Sequence, residues 1–285
     1  MNSLRIGCVK YVNARPLIRG WPDDVVFDHP SALCQLLANG ELDVALVSSF
    51  EYLRNPLYRI VDDVSISSDG PVYSVVVAHC GEFSNLEEIA PDPASQTAVN
   101  LLRCVLKELG LKPRLVSGVL KSTGCQPVVS GSLPTTRNAG LLIGDQAIHF
   151  RQKHAGEFQF WDLGEQWKKL TGLPFVYALW LIRPEVTDAK SIAQRLRKLR
   201  DKNLSSLDDL IEEAVAAVGR SAAASAKTDD PSPGRGLNRE FLLHYFREHL
   251  RFSFGEKEKR GLQCFAHLCA KHGVLPRRDR PFSVV

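Results

Sequence analysis

Apolar residues follow two alternating rhythms along this chain. Short uninterrupted runs, the mark of strands buried on both faces, alternate with stretches where apolar positions recur every three or four residues. Residues 4–9 predict a first buried strand, and the Asn-Ala-Arg-Pro stretch after it opens a short helix with Pro16 near its first turn. Residues 25–29 predict a second strand. Ser31 is placed to cap a helix through about residue 39, with Leu33, Leu36 and Leu37 on one face and Gly40 as its stop. Residues 43–47 predict a buried parallel strand feeding a helix whose start carries Ser48 and Ser49. Residues 60–66 and 73–78 predict two more strands, separated by a Gly70-Pro71 turn.

A second unit follows Ala78. Val99, Leu102, Val105, Leu106 and Leu109 lie at helical spacing after a start at Ser95-Gln96-Thr97, and Gly110 ends the run. Residues 139–143 predict a strand ending at Gly144-Asp145, with a helix opening at Ala147-Ile148. A strand over 158–163, a helix over 163–170 and a long strand over 174–182 complete the unit. From Thr187 onward the pattern is helical, over 191–200, 205–224, 239–250 and 257–271, with a Pro- and Gly-containing surface loop at 227–236. Strands alternating with helices in both halves predict an α/β protein of two lobes with mainly parallel sheets, a central cleft and a helical C-terminal tail. The expected crossings lie near Val77 and Leu181. One lobe would then hold residues 1–77 and 183–285, the other residues 78–182, and a chain of 285 residues suits such a division.

Composition narrows the function classes. The chain is 44% hydrophobic and 24% charged with a formal charge of +4, an ordinary globular balance. Its basic excess, around 195–200 and 257–260, reads as solvated helix faces, and no nucleic-acid-binding motif accompanies it. Seven scattered cysteines in mostly apolar contexts lead us to expect reduced thiols. The first residues run into a strand with no charged-then-apolar leader, and no apolar run nears the ~18 residues that span a bilayer. A cytoplasmic protein without membrane contact is the expectation. No P-loop, Gly-x-Gly-x-x-Gly, Gly-x-Ser-x-Gly or His-Glu-x-x-His motif occurs. Cys264, His267, Cys269 and His272 would sit about 300, 200 and 300 degrees apart on one helix, so they cannot face one ion, and no metal site is assigned.

The informative polar residues sit where strands end, the position at which open α/β sheets bind ligands. They fall in 11–17, 48–53 and 65–74. The starts at Ser48-Ser49 and at Ser95-Thr97 each suit a carboxylate, although Ser95 also reads as a plain helix cap. Two such starts on two lobes suggest a ligand with two carboxylates. Asn13 can donate to one group and accept from another, and Arg15 can pair a carboxylate or stay solvated. Ser67, Ser68, Gly70 and Pro71 read as a turn, drawn toward the cleft by Tyr73 and Ser74. Asp145 beside Gly144 either caps a helix or shapes a ligand site, and Gly172 to Phe175 enter the second crossing as hinge and wall.

Seven of these segments, in order from the first strand to residue 182, resemble one family. They are Tyr-Val-Asn-Ala-Arg-Pro-Leu, Ser-Phe-Glu-Tyr-Leu-Arg-Asn, Tyr-Arg-Ile-Val, Ser-Ile-Ser-Ser-Asp-Gly-Pro-Val-Tyr-Ser, Leu-Leu-Ile-Gly-Asp-Gln-Ala, Asp-Leu-Gly and Thr-Gly-Leu-Pro-Phe-Val. The chain resembles the chorismate dehydratases of the futalosine route to menaquinone. The resemblance implies a periplasmic-binding-protein-like (type II) fold and a cytoplasmic carbon–oxygen lyase. It also implies a cofactor-free conversion of chorismate to 3-[(1-carboxyvinyl)oxy]benzoate and water, by a monomer or homodimer. Three departures stand out: Ser95-Gln96-Thr97-Ala98 lacks one hydroxyl of the family's helix start, Ser48-Ser49 replaces its usual Pro-Ser, and 112–138 matches poorly. On this reading Asn13 attends the departing hydroxyl with Ser68 or Ser74, while Ser49, Ser95 and Thr97 grip carboxylates. Tyr11, Arg15, Ser48, Ser67, Gly70, Pro71, Gly144, Asp145 and Phe175 line the substrate. The rival readings are a cytoplasmic binding or sensor protein of the same fold and the sister dihydroxynaphthoate-forming enzyme.

Overall fold

A computed structural model describes residues 4–120, 136–225, 237–278 and 281–285. The first stretch holds β1 (Ile6–Val9), a 3-10 turn (Val12–Ala14), α1 (Arg15–Ile18), β2 (Val25–Asp28), α2 (Pro30–Ala38), β3 (Val44–Ser48), α3 (Ser49–Arg54) and β4 (Arg59–Ser68). Next come β5 (Val75–His79), β6 (Glu88–Ile89), α4 (Gln96–Glu108), β7 (Arg114–Leu115), β8 (Val119–Leu120), β9 (Thr136–Arg137), β10 (Ala139–Ile143), α5 (Gly144–Lys153), β11 (Gln159–Asp162), α6 (Leu163–Thr171) and β12 (Phe175–Ile182). The tail holds α7 (Ala189–Ser205), α8 (Leu207–Ser225), α9 (Arg239–His244), a π-helical turn (Tyr245–His249) and α10 (Glu256–Lys271). The predicted loop at 227–236 lies outside the described residues.

Two principal sheets result. The first runs β2-β1-β3-β12-β4 and the second β10-β5-β11. β1, β2 and β3 are parallel, but β12 is antiparallel to both β3 and β4, and both β10 and β11 are antiparallel to β5. The expectation of mainly parallel sheets is therefore corrected, for the two principal sheets, to a parallel half-sheet with antiparallel pairing in the rest, while the short β6–β7 and β8–β9 ladders are parallel. An apolar run records burial on both faces, which an antiparallel strand roofed by helices shares with a parallel one. β5 already lies in the second sheet and β12 in the first. The chain thus changes sheet at 69–74 and 172–174, ahead of the positions near Val77 and Leu181.

Local chemistry explains the element ends. α2 starts at Pro30 behind an extended His29, so proline's fixed φ rather than a Ser31 cap sets its beginning. Ser95 caps α4 as expected, its Oγ accepting from Ala98 N at 3.1 Å. The tail packs inward through regular stripes: Ile192, Ala193 and Leu196 on α7, and Leu262, Phe265 and Cys269 on α10. Phe265 meets Phe175 and Trp167 at ring separations of 5.0 and 6.1 Å, which locks α10, β12 and α6 into one aromatic core. Cys8, Cys34, Cys104, Cys264 and Cys269 are free thiols. Cys80 is disulfide-bonded, so the expectation of reduced thiols fails there. It sits half-buried just past the end of β5, less enclosed than the four fully buried cysteines.

Candidate active site

The polar strand ends converge between the two sheets and bond across the gap. The 3-10 turn after β1 carries Asn13. Its Val12 N–H donates to Asp145 at the start of α5, at 3.0 Å to Oδ1 and 3.2 Å to Oδ2. Asp145 does not cap its own helix: it ties the first sheet to the second. Gly144 before it has φ +57 and lies against the Tyr11 ring, where a Cβ would come within 2.7 Å of Tyr11 Cδ1. Glycine is required here by both conformation and space. The Gly144 N–H donates to the Ser74 carbonyl at 2.8 Å. Tyr245, fully buried on the π-helical turn, donates its hydroxyl to Ser74 Oγ at 2.7 Å. Asn13 Oδ1 is buried with no partner. An unmet buried carbonyl costs about 1–3 kcal/mol, which makes this atom the best candidate for a ligand contact.

A second knot joins the β3–α3 junction to the start of α4. Ser48 Oγ and Thr97 Oγ1 are hydrogen-bonded, Thr97 N donates to Ser48 Oγ at 3.1 Å, and Phe50 N donates to Thr97 Oγ1 at 3.1 Å. Ser49 Oγ donates to Val176 O at 2.7 Å. The two helix starts expected to grip separate carboxylates are thus in direct contact. The reason is that each hydroxyl both donates and accepts, and each helix start offers free N–H groups. Ser95 Oγ is occupied by its own helix.

The 68–74 turn is built by bonds from three directions. Ser68 Oγ donates to Gly70 O at 2.9 Å and lies 3.1 Å from the Tyr177 hydroxyl. Ser67 faces elsewhere, its Oγ donating to Arg251 O at 3.3 Å. His249 Nδ1 donates to Pro71 O at 2.9 Å. Asp162 takes Val72 N and Tyr73 N at 3.0 and 2.7 Å while capping α6 through Gly164 N and Glu165 N. Tyr73, at φ +67, lies under the Arg151 guanidinium at 4.1 Å. Phe175 is corrected from cleft wall to core: it is 1% exposed and packed on Trp167, Tyr177 and Phe265. Arg15 and Tyr11 line a surface pocket of about 660 Å³ with Lys10, Arg19 and Trp21, beside the Asn13 turn rather than within it.

Electrostatics single out two carboxyls. Burial pushes Asp145 from 3.8 up to about 6, against the opposing pull of the Val12 N–H and the Arg15 charge. Burial also raises Asp162, opposed by the amides of Val72, Glu165 and Tyr73 and by Arg151. The Tyr245 and Tyr177 hydroxyls are raised by burial, so both remain donors at neutral pH. Sequence reasoning missed Asp162, Tyr177, Tyr245 and His249. Asp162 had a local signal, a capping aspartate ahead of a glycine in the first turn; Tyr245 and His249 come from a helix some 170 residues away in sequence and carry no local mark. Among the described residues no group of three or more His, Cys, Asp or Glu is placed to hold a metal ion, and no helix is long and apolar enough to cross a membrane.

The chain is similar to a chorismate dehydratase of Thermus thermophilus, 29% identical over 284 residues that cover 93% of this chain and 95% of that protein. It is 25% identical to a chorismate dehydratase of Campylobacter jejuni, over 91% of this chain and 90% of that protein. In structure it matches a Candida albicans protein described as having the generic periplasmic binding protein structural fold. That match has a TM-score of 0.58 and 12% identity, covering 98% of this chain and 92% of that one. The periplasmic-binding-protein-like fold is thereby that of the present chain as well. A protein family described as menaquinone biosynthesis matches residues 4–271, a span that contains both principal sheets and every junction that builds the site. The chain belongs to that menaquinone-biosynthesis family.

Proposed function

We propose that this chain is a hydro-lyase that dehydrates chorismate to 3-[(1-carboxyvinyl)oxy]benzoate and water. The observation that carries the reading is the buried Asn13 Oδ1, which has no hydrogen-bond partner. Its two named relatives are chorismate dehydratases over nearly their whole length. The reaction removes the hydrogen on the ring carbon bearing the ether and the hydroxyl on its neighbour. The product is aromatic, so the protein has only to lower the barrier by posing and hydrogen bonding. Asn13 Oδ1 accepts from the departing hydroxyl and Ser74 donates to it. The substrate's enolpyruvyl carboxylate takes the ring proton. Ser48 and Thr97 exchange their mutual bond, and Ser49 its bond to Val176 O, for bonds to a substrate carboxylate.

The chain acts in the cytoplasm as a monomer or homodimer, with the first sheet and the C-terminal helices as one lobe and the second sheet, entered at 69–74 and left at 172–174, as the other. Closure of the lobes excludes water from the reacting ring. The test is to incubate purified chain with chorismate and follow an aromatic product by absorbance and mass. Asn13→Ala is expected to lose at least ~100-fold in turnover while retaining part of its chorismate affinity. Turnover equal to the parent's removes Asn13 from the mechanism, and an inert parent chain removes chorismate as the substrate.

A further inference from the structure

The tail reaches the site through one short irregular turn. α9 runs into the π-helical turn 245–249, a widening that recurs at functional positions because it redirects side chains out of helical register. Two residues of this turn seize the 71–74 segment: His249 Nδ1 donates to Pro71 O at 2.9 Å and the Tyr245 hydroxyl donates to Ser74 Oγ at 2.7 Å. The Tyr245 ring is fixed by stacking on Phe241, 5.6 Å away and 13° from parallel, and by Phe246 at 5.8 Å. Tyr245 and Ser74 thus form one buried polar pair. Because Ser74 Oγ accepts from Tyr245, its own hydrogen is left to donate elsewhere.

We propose that Tyr245 is a positioning residue of the dehydration site: its buried hydroxyl orients Ser74 to donate to the departing hydroxyl. This inference rests on the chorismate reading above. In the reaction the ring C–H and C–O bonds break, and the C–H electron pair becomes the new ring double bond. The C–O pair leaves with the oxygen, and the proton held by the substrate's carboxylate ends on that oxygen as water. Tyr245 exchanges no proton with the substrate. Its hydrogen bond polarises Ser74, and a donor so polarised is a stronger partner for charge growing on the leaving oxygen.

The experiment is steady-state chorismate kinetics on the full chain carrying Tyr245→Phe, Ser74→Ala, both together, or Phe241→Leu. Tyr245→Phe keeps the ring and deletes only the hydroxyl. It is expected to lower kcat about 30-fold with KM changed by less than about twofold, because misorientation is felt in the transition state. The double variant is expected to be no slower than Ser74→Ala alone within about threefold, since residues acting through one another are not additive. Phe241→Leu weakens the packing but keeps the hydroxyl, and is expected to lower kcat by much less than Tyr245→Phe does. The inference is overturned if Tyr245→Phe turns over like an active parent, if the two losses multiply, or if Phe241→Leu loses as much as Tyr245→Phe. It is also overturned if Tyr245→Phe no longer melts cooperatively, which assigns Tyr245 to structure. A parent inert toward chorismate fails the functional reading as well, whereas an active parent with an unaffected Tyr245→Phe fails only this inference.

Discussion

Replacing Asp145 by asparagine separates the cost of a buried charge from its use. The carboxylate accepts the Val12 N–H at 3.0 Å and is pushed by burial from 3.8 to about 6. At about 1.4 kcal/mol per decade the difference is about 3 kcal/mol, the amount by which the ionised group disfavours the fold at pH 7.5. That figure is a ceiling, because Asp145 keeps part of its surface in water. The sign follows from proton binding. Between about pH 4 and 6 the folded chain holds the Asp145 proton more often than the unfolded one, so stability falls as pH rises and levels off above pH 7. The relative stability is fully present below 3.8 and lost through 6. Asp145→Asn retains an acceptor for Val12 and removes the titration. Urea denaturation at pH 4.5, 6.0 and 7.5 reads the result. The variant's advantage over the parent is expected to grow by about 2 kcal/mol from pH 4.5 to 7.5, and other titrating groups cancel in that difference. Activity should move the opposite way, with kcat/KM falling about tenfold because the turn carrying Asn13 loses a charged anchor. An advantage that does not change with pH, or a parent that is the more stable protein at pH 7.5, refutes the argument.

Two other substitutions test the frame around the site. Thr97→Val deletes the acceptor for Phe50 N–H and the partner of Ser48 and is expected to cost about 2 kcal/mol in urea denaturation and to raise KM for chorismate more than it lowers kcat. An unchanged midpoint would show that water replaces the lost bonds. Gly164→Ala places a Cβ against the Gly70 carbonyl, 2.7 Å from Tyr177 Oη and 2.8 Å from Ser68 Oγ. It should displace the 70–73 turn at a cost of about 3 kcal/mol, visible as a lowered melting temperature, and a parent-like transition would show that the turn yields without cost.

How far the sequence reached depended on whether the relevant interaction was local. Buried strands, the α4 cap at Ser95 and the tail helices were legible because burial, capping and helical spacing are written within a few residues. Strand direction was not, since Ala139 to Ile143 read the same whichever way they meet β5. Asn13, Ser68 and Ser74 were singled out by their place after apolar runs, but the hydroxyl that holds Ser74 belongs to Tyr245, and nothing near Tyr245 in the chain announces it. The same limit explains Ser48 and Thr97. Each was legible as a helix start suited to an anion, yet their mutual contact depends on how the β3–α3 junction meets α4.

That contact has its own physical consequence. Neutral hydroxyl–hydroxyl bonds satisfy both helix starts in the unliganded chain at little energetic gain, whereas a carboxylate in the same place would receive charge-assisted bonds roughly twice as strong. On the proposed reading, a site built this way keeps its hydroxyls bonded without a ligand and still favours an arriving anion. It also makes the anion compete with the chain's own inter-sheet bonds, so affinity and the juncture between the sheets are set by the same few oxygen atoms.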